Sequence, residues 1–211
     1  MGAQSVALVE GDLPVAVIGI SGGRGTSDRV LRLVEAALEL SGTALPSLDA
    51  VVVSCGPGSL TGLRVGIGTA RGIATGAGRR LVGVSSLQAL AACAGAGPPV
   101  LALIDAGRGE VYGGLFQPGD PPSRVGEERV APPEAFALAV QGREVRAVGS
   151  GAVRNEHLFP GAARGEPFLA LGAVRVAAAC LRSAAAEWQG GDLRAAPRYL
   201  RRDPSPVRFE D

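Results

Sequence analysis

Three valines, Val51-Val52-Val53, lead through Ser54 and Cys55 to Gly56-Pro57-Gly58. Behind Ser59 and Thr61 an apolar, glycine-studded segment then continues to Gly78. β-Branched residues favour extended backbone, Gly-Pro-Gly interrupts it, and Ser or Thr ahead of an apolar stretch caps a helix. The stretch therefore predicts a buried strand, a tight loop and a helix over residues 61–77, and the rest of the chain has to be arranged around this unit.

A glycine loop before a helix often cradles phosphate, because backbone N–H groups there have no intrahelical partner. The spacing argues otherwise here. Gly56, Gly58 and Gly62 give G-x-G-x-x-x-G, one residue longer than the dinucleotide fingerprint, and no P-loop lysine follows. All 21 basic residues are arginines, so Schiff-base lysine chemistry is excluded as well.

The 211 residues suffice for one substantial core or two modest ones, and 46% of them are hydrophobic. No apolar run reaches the ~18 residues of a membrane span, and there is no basic-plus-apolar leader pattern at the start. A net charge of +1 gives no overall pull towards nucleic acid. Cys55, Cys93 and Cys180 are odd in number and widely spaced, which fits a reducing, cytoplasmic setting better than a disulfide framework. His157 is the single histidine, so a two-histidine zinc site is excluded and a Ser-His-Asp triad would rest on it alone.

Residues 5–10 and 14–20 read as a β-hairpin turned at Gly11-Asp12, and Thr26 or Ser27 caps a helix to about Leu40, stopped by Gly42. After the central unit come a strand over 81–84 and a helix over 87–94, capped by Ser85 or Ser86. A compositional break at 95–99 places a boundary between a first lobe, residues 1–97, and a second, residues 98–211. The second lobe reads as a hairpin (100–104 and 111–116), a strand (124–130), a helix opened by Pro132 and Pro133, a strand (145–148) and an alanine-rich helix over 171–188. A short arginine-rich tail reads on charge as a solvated end in preference to an RNA contact, with the alternative that the last segment packs back on the first lobe. Alternating strands and helices make this an α/β chain.

Two helices are more apolar than one sheet requires. On the first, Asp28, Arg32, Glu35 and Glu39 form a narrow polar stripe and most of the rest is apolar. On the second, Arg64 and Arg71 share one face, and Gly66, Gly68, Gly72 and Gly76 recur inside the helix, each costing roughly 1 kcal/mol relative to alanine. Close approach by neighbouring elements is the expected compensation. Either both helices are sandwiched within their own domain, or a partner completes a helical bundle on their outer face.

The run Gly56-Pro57-Gly58-Ser59-Leu60-Thr61-Gly62-Leu63-Arg64-Val65-Gly66, continued by Thr69-Ala70-Arg71-Gly72 and Leu81-Val82-Gly83-Val84-Ser85-Ser86-Leu87, resembles the hallmark of the TsaB (YeaZ) family. Asp105-Ala106-Gly107-Arg108-Gly109-Glu110-Val111-Tyr112 and Tyr199-Leu200-Arg201 also resemble family patterns. The resemblance implies a two-lobed actin/Hsp70/sugar-kinase-like (ribonuclease H-like) fold. It implies a non-catalytic accessory subunit of the bacterial complex that places threonylcarbamoyl on adenosine in ANN-decoding tRNAs. The partner would be a TsaD-like catalytic subunit, with a TsaE-like ATPase in the larger complex, tRNA engaged indirectly, and no membrane. No intrinsic cofactor or metal is expected, and ATP or ADP at the partner interface stays open.

Carried onto this chain, the resemblance places partner contacts at Arg29, Val30, Leu33, Val34 and Ala37 on the first helix and Leu63, Ile67, Ala70 and Ala74 on the second. Gly56, Pro57, Gly58, Ser59, Thr61, Gly62 and Arg64 are the structural loop. Asp105, Gly107 and Gly109 are candidates for a vestigial phosphate loop, or simply a strand-end turn. Family members typically begin with an apolar strand ahead of the segment matching Ser5-Val6-Ala7-Leu8. Here the chain begins after it, and the expectation is unpaired edges on that strand's neighbours, from a start placed downstream or in a less stable lobe. Thr26 stands where many members have a histidine.

Two other readings remain open. A free-standing enzyme on the same fold, a small-molecule kinase or a peptidase, would need Asp105 and a second phosphate loop, or His157. A structural homodimer would pair the same helices through an isologous contact.

Overall fold

The computed structural model describes residues 3–11, 13–21, 27–163, 169–183, 196–197, 199–200 and 205–209. The expected Thr26 cap, the end of the last helix beyond Ser183, and Arg198 and Arg201 of the tail lie outside the described residues.

β1 (Ala3–Glu10) and β2 (Leu13–Ser21) form an antiparallel hairpin turned at Gly11, whose φ of 59° suits the turn. α1 (Ser27–Ser41) follows and ends where the Thr43 N–H reaches back to the Leu38 carbonyl at 3.0 Å and Gly42 takes φ 65°. β3 (Ala50–Ser54) pairs in parallel with β4 (Arg80–Val84), and α2 (Leu60–Ala77) is the crossover between them. α3 (Ser86–Cys93) leads to β5 (Val100–Gly107), β6 (Glu110–Gln117) and β7 (Ser123–Ala131), an antiparallel run, and α4 (Pro133–Ala139) follows. β8 (Arg146–Val148) then pairs in parallel with β5, giving the sheet order β7-β6-β5-β8. α5 (Ser150–Arg154), a short helix outside the sequence expectation, precedes α6 (Leu169–Ser183).

The valine run of β3 is apolar on successive residues because both faces are covered. Val51 and Val53 pack with Leu63, Ile67 and Ala70 of α2, whereas Val52 packs with Val82, Val84, Ala89 of α3 and Ala173 of α6. Alternate side chains of a strand point to opposite faces, so a strand between two helical layers needs no polar alternation. α1 covers β1 and β2 on one side, and α6 reaches β1, β3 and β4 as well as α3. Among the described residues, β1–β2 and β3–β4 are separate two-stranded sheets, so β1 and β3 each have one strand partner.

α3 belongs to two cores at once. Leu87, Leu90 and Ala91 pack with Val100, Ala102, Phe116 and Val148 of the four-stranded sheet, whereas Ala89 faces β4 and α6. A helix buried on nearly all sides carries no polar stripe, as its sequence shows. The other face of the four-stranded sheet holds Leu101, Leu103, Val111, Leu115, Phe136 and Phe159. The chain end corrects one expectation: Val207 and Phe209 are buried in this core, with the rings of Phe209 and Phe136 6.4 Å apart, so this part of the tail is packed, not solvated.

Candidate docking face

Ser59 takes the N-cap of α2, its hydroxyl accepting the Gly62 N–H at 3.4 Å. Gly78 closes the helix in the left-handed region at φ 63°. Of the two possible caps, Ser59 and not Thr61 is used, which starts the helix at Leu60. Gly56, Pro57 and Cys55 are buried where the loop passes under the start of α3, and Gly58, Thr61, Gly62 and Arg64 lie at or near the surface.

The buried stripe of α2 is Leu63, Ile67, Ala70 and Ala74, and that of α1 is Leu33 and Ala37. These six were expected at a partner interface, and the structure corrects that assignment: they face inward. For Leu63, Ile67 and Ala70 the reason is the pleat of β3, which offers Val51 and Val53 to α2 and draws these side chains onto the sheet. Arg29, Val30 and Val34 are half-buried.

The arc that faces outward on α2 follows one ridge of residues four apart: Leu60, Arg64, Gly68, Gly72 and Gly76, all exposed, flanked by Arg71 and Thr75. A Cβ placed on Gly66, Gly68, Gly72 or Gly76 would have no heavy atom of a neighbouring element within 4 Å. The close approach that the helix glycines were expected to permit is therefore not made among the described residues. On α1 the outward side carries Leu31 and Leu40, 42% and 81% exposed, among Arg32, Glu35 and Glu39. The outward side of α2 is thus floored by glycines with Leu60 at its start, and the outward side of α1 carries two exposed leucines. The sequence named every one of these glycines but not their direction; the four-residue ridge was the signal that could have found them.

Asp105 sits at the end of β5 in a self-contained turn. Its Oδ1 accepts the Gly107 N–H at 2.9 Å, and Oδ2 accepts from Arg154 Nη1 of α5 at 2.6 Å. Gly107, Arg108 and Gly109 all have positive φ, which makes the tight return into β6. Both carboxylate oxygens already serve the fold, which favours the strand-end turn of the two readings. His157 is exposed in the segment after α5. Among the described residues no group of three His, Cys, Asp or Glu side chains is arranged to hold a metal ion, and no helix is long and apolar enough to cross a membrane.

The sequence model of the family described as TsaD, tRNA N6-adenosine threonylcarbamoyltransferase, matches residues 17–190. The tRNA threonylcarbamoyladenosine biosynthesis protein TsaB of Escherichia coli is 43% identical over 97 residues, which is 44% of this chain and 42% of that protein. Its counterpart in Haemophilus influenzae is 40% identical over 92 residues, 42% of this chain and 39% of that protein. The match thus spans about two fifths of the length of these curated relatives. The solved structure of YeaZ from Pseudomonas aeruginosa superposes with a TM-score of 0.76 at 30% identity, covering 94% of both chains. The architecture is the mixed α/β fold of YeaZ, of the actin/Hsp70/sugar-kinase-like type.

Proposed function

The chain belongs to the TsaB (YeaZ) family, and from that premise we propose that it is a non-catalytic accessory subunit in tRNA threonylcarbamoyladenosine biosynthesis, acting by docking on a TsaD-like catalytic subunit. The observation that carries the reading is the outward ridge of α2. Four interior glycines with no neighbouring atom over them cost the lone chain about 4 kcal/mol relative to alanine, and no contact within the described chain offsets it. A homologous helix laid along Gly68, Gly72 and Gly76 can approach closely, and its backbone contact supplies the compensation. Leu60 and Leu31, exposed on the outward sides of α2 and α1, are the apolar side chains such a contact covers. Asp105 serves the fold and His157 stands exposed, which supports placing the chemistry on the partner. In this reading a nucleotide would be held with the partner, a TsaE-like ATPase would join the larger complex, and tRNA would be engaged through the catalytic subunit.

The test is co-purification of tagged chain with the TsaD-like subunit of its own host, followed by nucleoside analysis of tRNA after depletion. Gly72→Glu and Leu60→Glu should abolish co-purification while leaving the thermal midpoint of the lone chain within a few degrees of the parent. Retained association in both variants, or unchanged threonylcarbamoyladenosine after depletion, overturns the reading. A self-associating chain whose dimer is lost in the same variants would point instead to the isologous pairing.

A further inference from the structure

A carboxylate lies buried between the two halves of the chain. Glu128 of β7 and Ser85, the residue between β4 and α3, are each 7% exposed. The Ser85 hydroxyl donates to Glu128 Oε1, and Ser85 Oγ, as the N-cap of α3, accepts the Gln88 N–H at 3.3 Å. Gln88 Nε2 in turn donates to the Pro122 carbonyl at 2.9 Å, just ahead of β7. One residue along, the Ser86 N–H donates to the Gly56 carbonyl at 2.8 Å, and the Ser86 hydroxyl meets that of Ser54 at 2.6 Å. The Cys55 N–H donates to the Val84 carbonyl at 2.8 Å. Hydrogen bonds thus connect β7 to the start of α3, and the start of α3 to the loop that ends in Ser59, the cap of α2.

An apolar side chain would fill the place of Glu128 without the cost of desolvating a carboxylate. Room is made for it by Gly114, where a Cβ would lie 3.2 Å from Glu128 Cγ. What the side-chain oxygen adds is direction: an acceptor at Oε1 fixes the Ser85 hydroxyl, and a fixed Ser85 fixes the first turn of α3 against residues 54–56.

We propose that Glu128 is a positioning residue, which through Ser85 and Ser86 sets the 55–59 loop and so the start of α2, coupling the four-stranded sheet to the outward helix face. The proposal concerns the placement of α2 in the lone chain. Its outcome therefore stands apart from that of the docking reading.

The experiment is residue-level amide hydrogen exchange in the whole chain, comparing Glu128→Gln, Glu128→Met, Ser85→Ala and the Met/Ala double variant. Glu128→Gln keeps an acceptor at Oε1 and should exchange like the parent. Glu128→Met and Ser85→Ala should each raise exchange severalfold at Cys55, Leu63 and Arg64, with core amides of β5 and β6 unchanged, and the double variant should go no further than either single one. Unchanged exchange at Cys55, Leu63 and Arg64, an equal rise throughout β5 and β6, additive single effects, or a Gln variant as perturbed as Met would overturn the proposal. If Glu128→Met does not fold, Ser85→Ala decides alone. It must perturb α2 and not merely Gln88 at its own helix start.

Discussion

A Cβ placed on Gly172 would lie 1.9 Å from the carbonyl oxygen of Ala89 and 2.8 Å from the sulfur of Cys93. α6 therefore rests on α3 backbone against backbone, and through α3 it connects to the core of the four-stranded sheet. Backbone cannot rotate away as a flexible side chain can, so Gly172→Ala should cost about 3 kcal/mol, the upper end of an overpacking penalty. Denaturant midpoints of parent and variant check this. A loss below about 1 kcal/mol would mean that the two helices are not in contact along this line.

The opposite sign is expected on α2. Gly72 and Gly76 are exposed, helical and without neighbours at the Cβ position, so Gly72→Ala and Gly76→Ala should each stabilise the lone chain by about 0.5–1 kcal/mol. The same methyl groups should weaken docking if a partner helix comes close there. Thermal unfolding reads the first effect and titration of the partner the second. A lower midpoint in both variants would show that the ridge is packed against something within the chain.

The strand, loop and helix from Val51 to Ala77 were legible because their signals are local: β-branched residues, a Gly-Pro-Gly turn and a hydroxyl cap. The direction of α2 was not. Leu63, Ile67, Ala70 and Ala74 on one side and glycines and arginines on the other differ little in apolar contrast, and the choice is made by the pleat of β3, a tertiary fact. Glu128 was hidden for a related reason. Glu128 shares a face of β7 with Val130, whose partner Tyr112 packs beside α3, while Glu127 on the other face is exposed, so the alternation alone does not tell that the face of Glu128 is covered. Ser85, its partner, stands 43 residues away.

The cap of α2 is weak in geometry, with the Gly62 N–H 3.4 Å from the Ser59 hydroxyl. Ser59→Ala should accordingly cost about 0.5–1 kcal/mol, the lower part of the range for lost caps. Ser59→Asp should recover or exceed the parent, because a carboxylate also complements the helix N-terminus. Midpoints of chemical unfolding decide this. An Ala variant equal to the parent would place the start of α2 at Thr61 after all.

Asp105 offers a last discrimination, between a turn residue and a phosphate-loop remnant. Arg154 is 70% exposed at its side chain, so its ion pair with Asp105 should contribute less than about 1 kcal/mol, and Arg154→Ala should be nearly silent in unfolding. Asp105→Ala should cost more, about 1–2 kcal/mol, because it also removes the acceptor of the Gly107 N–H in a partly buried turn. If the carboxylate were instead held in reserve for a nucleotide's metal ion, Arg154→Ala would release it. Calorimetric titration of that variant with magnesium and ATP would then show binding stronger than in the parent. The turn assignment predicts identical traces for the two proteins and a stability loss confined to Asp105→Ala.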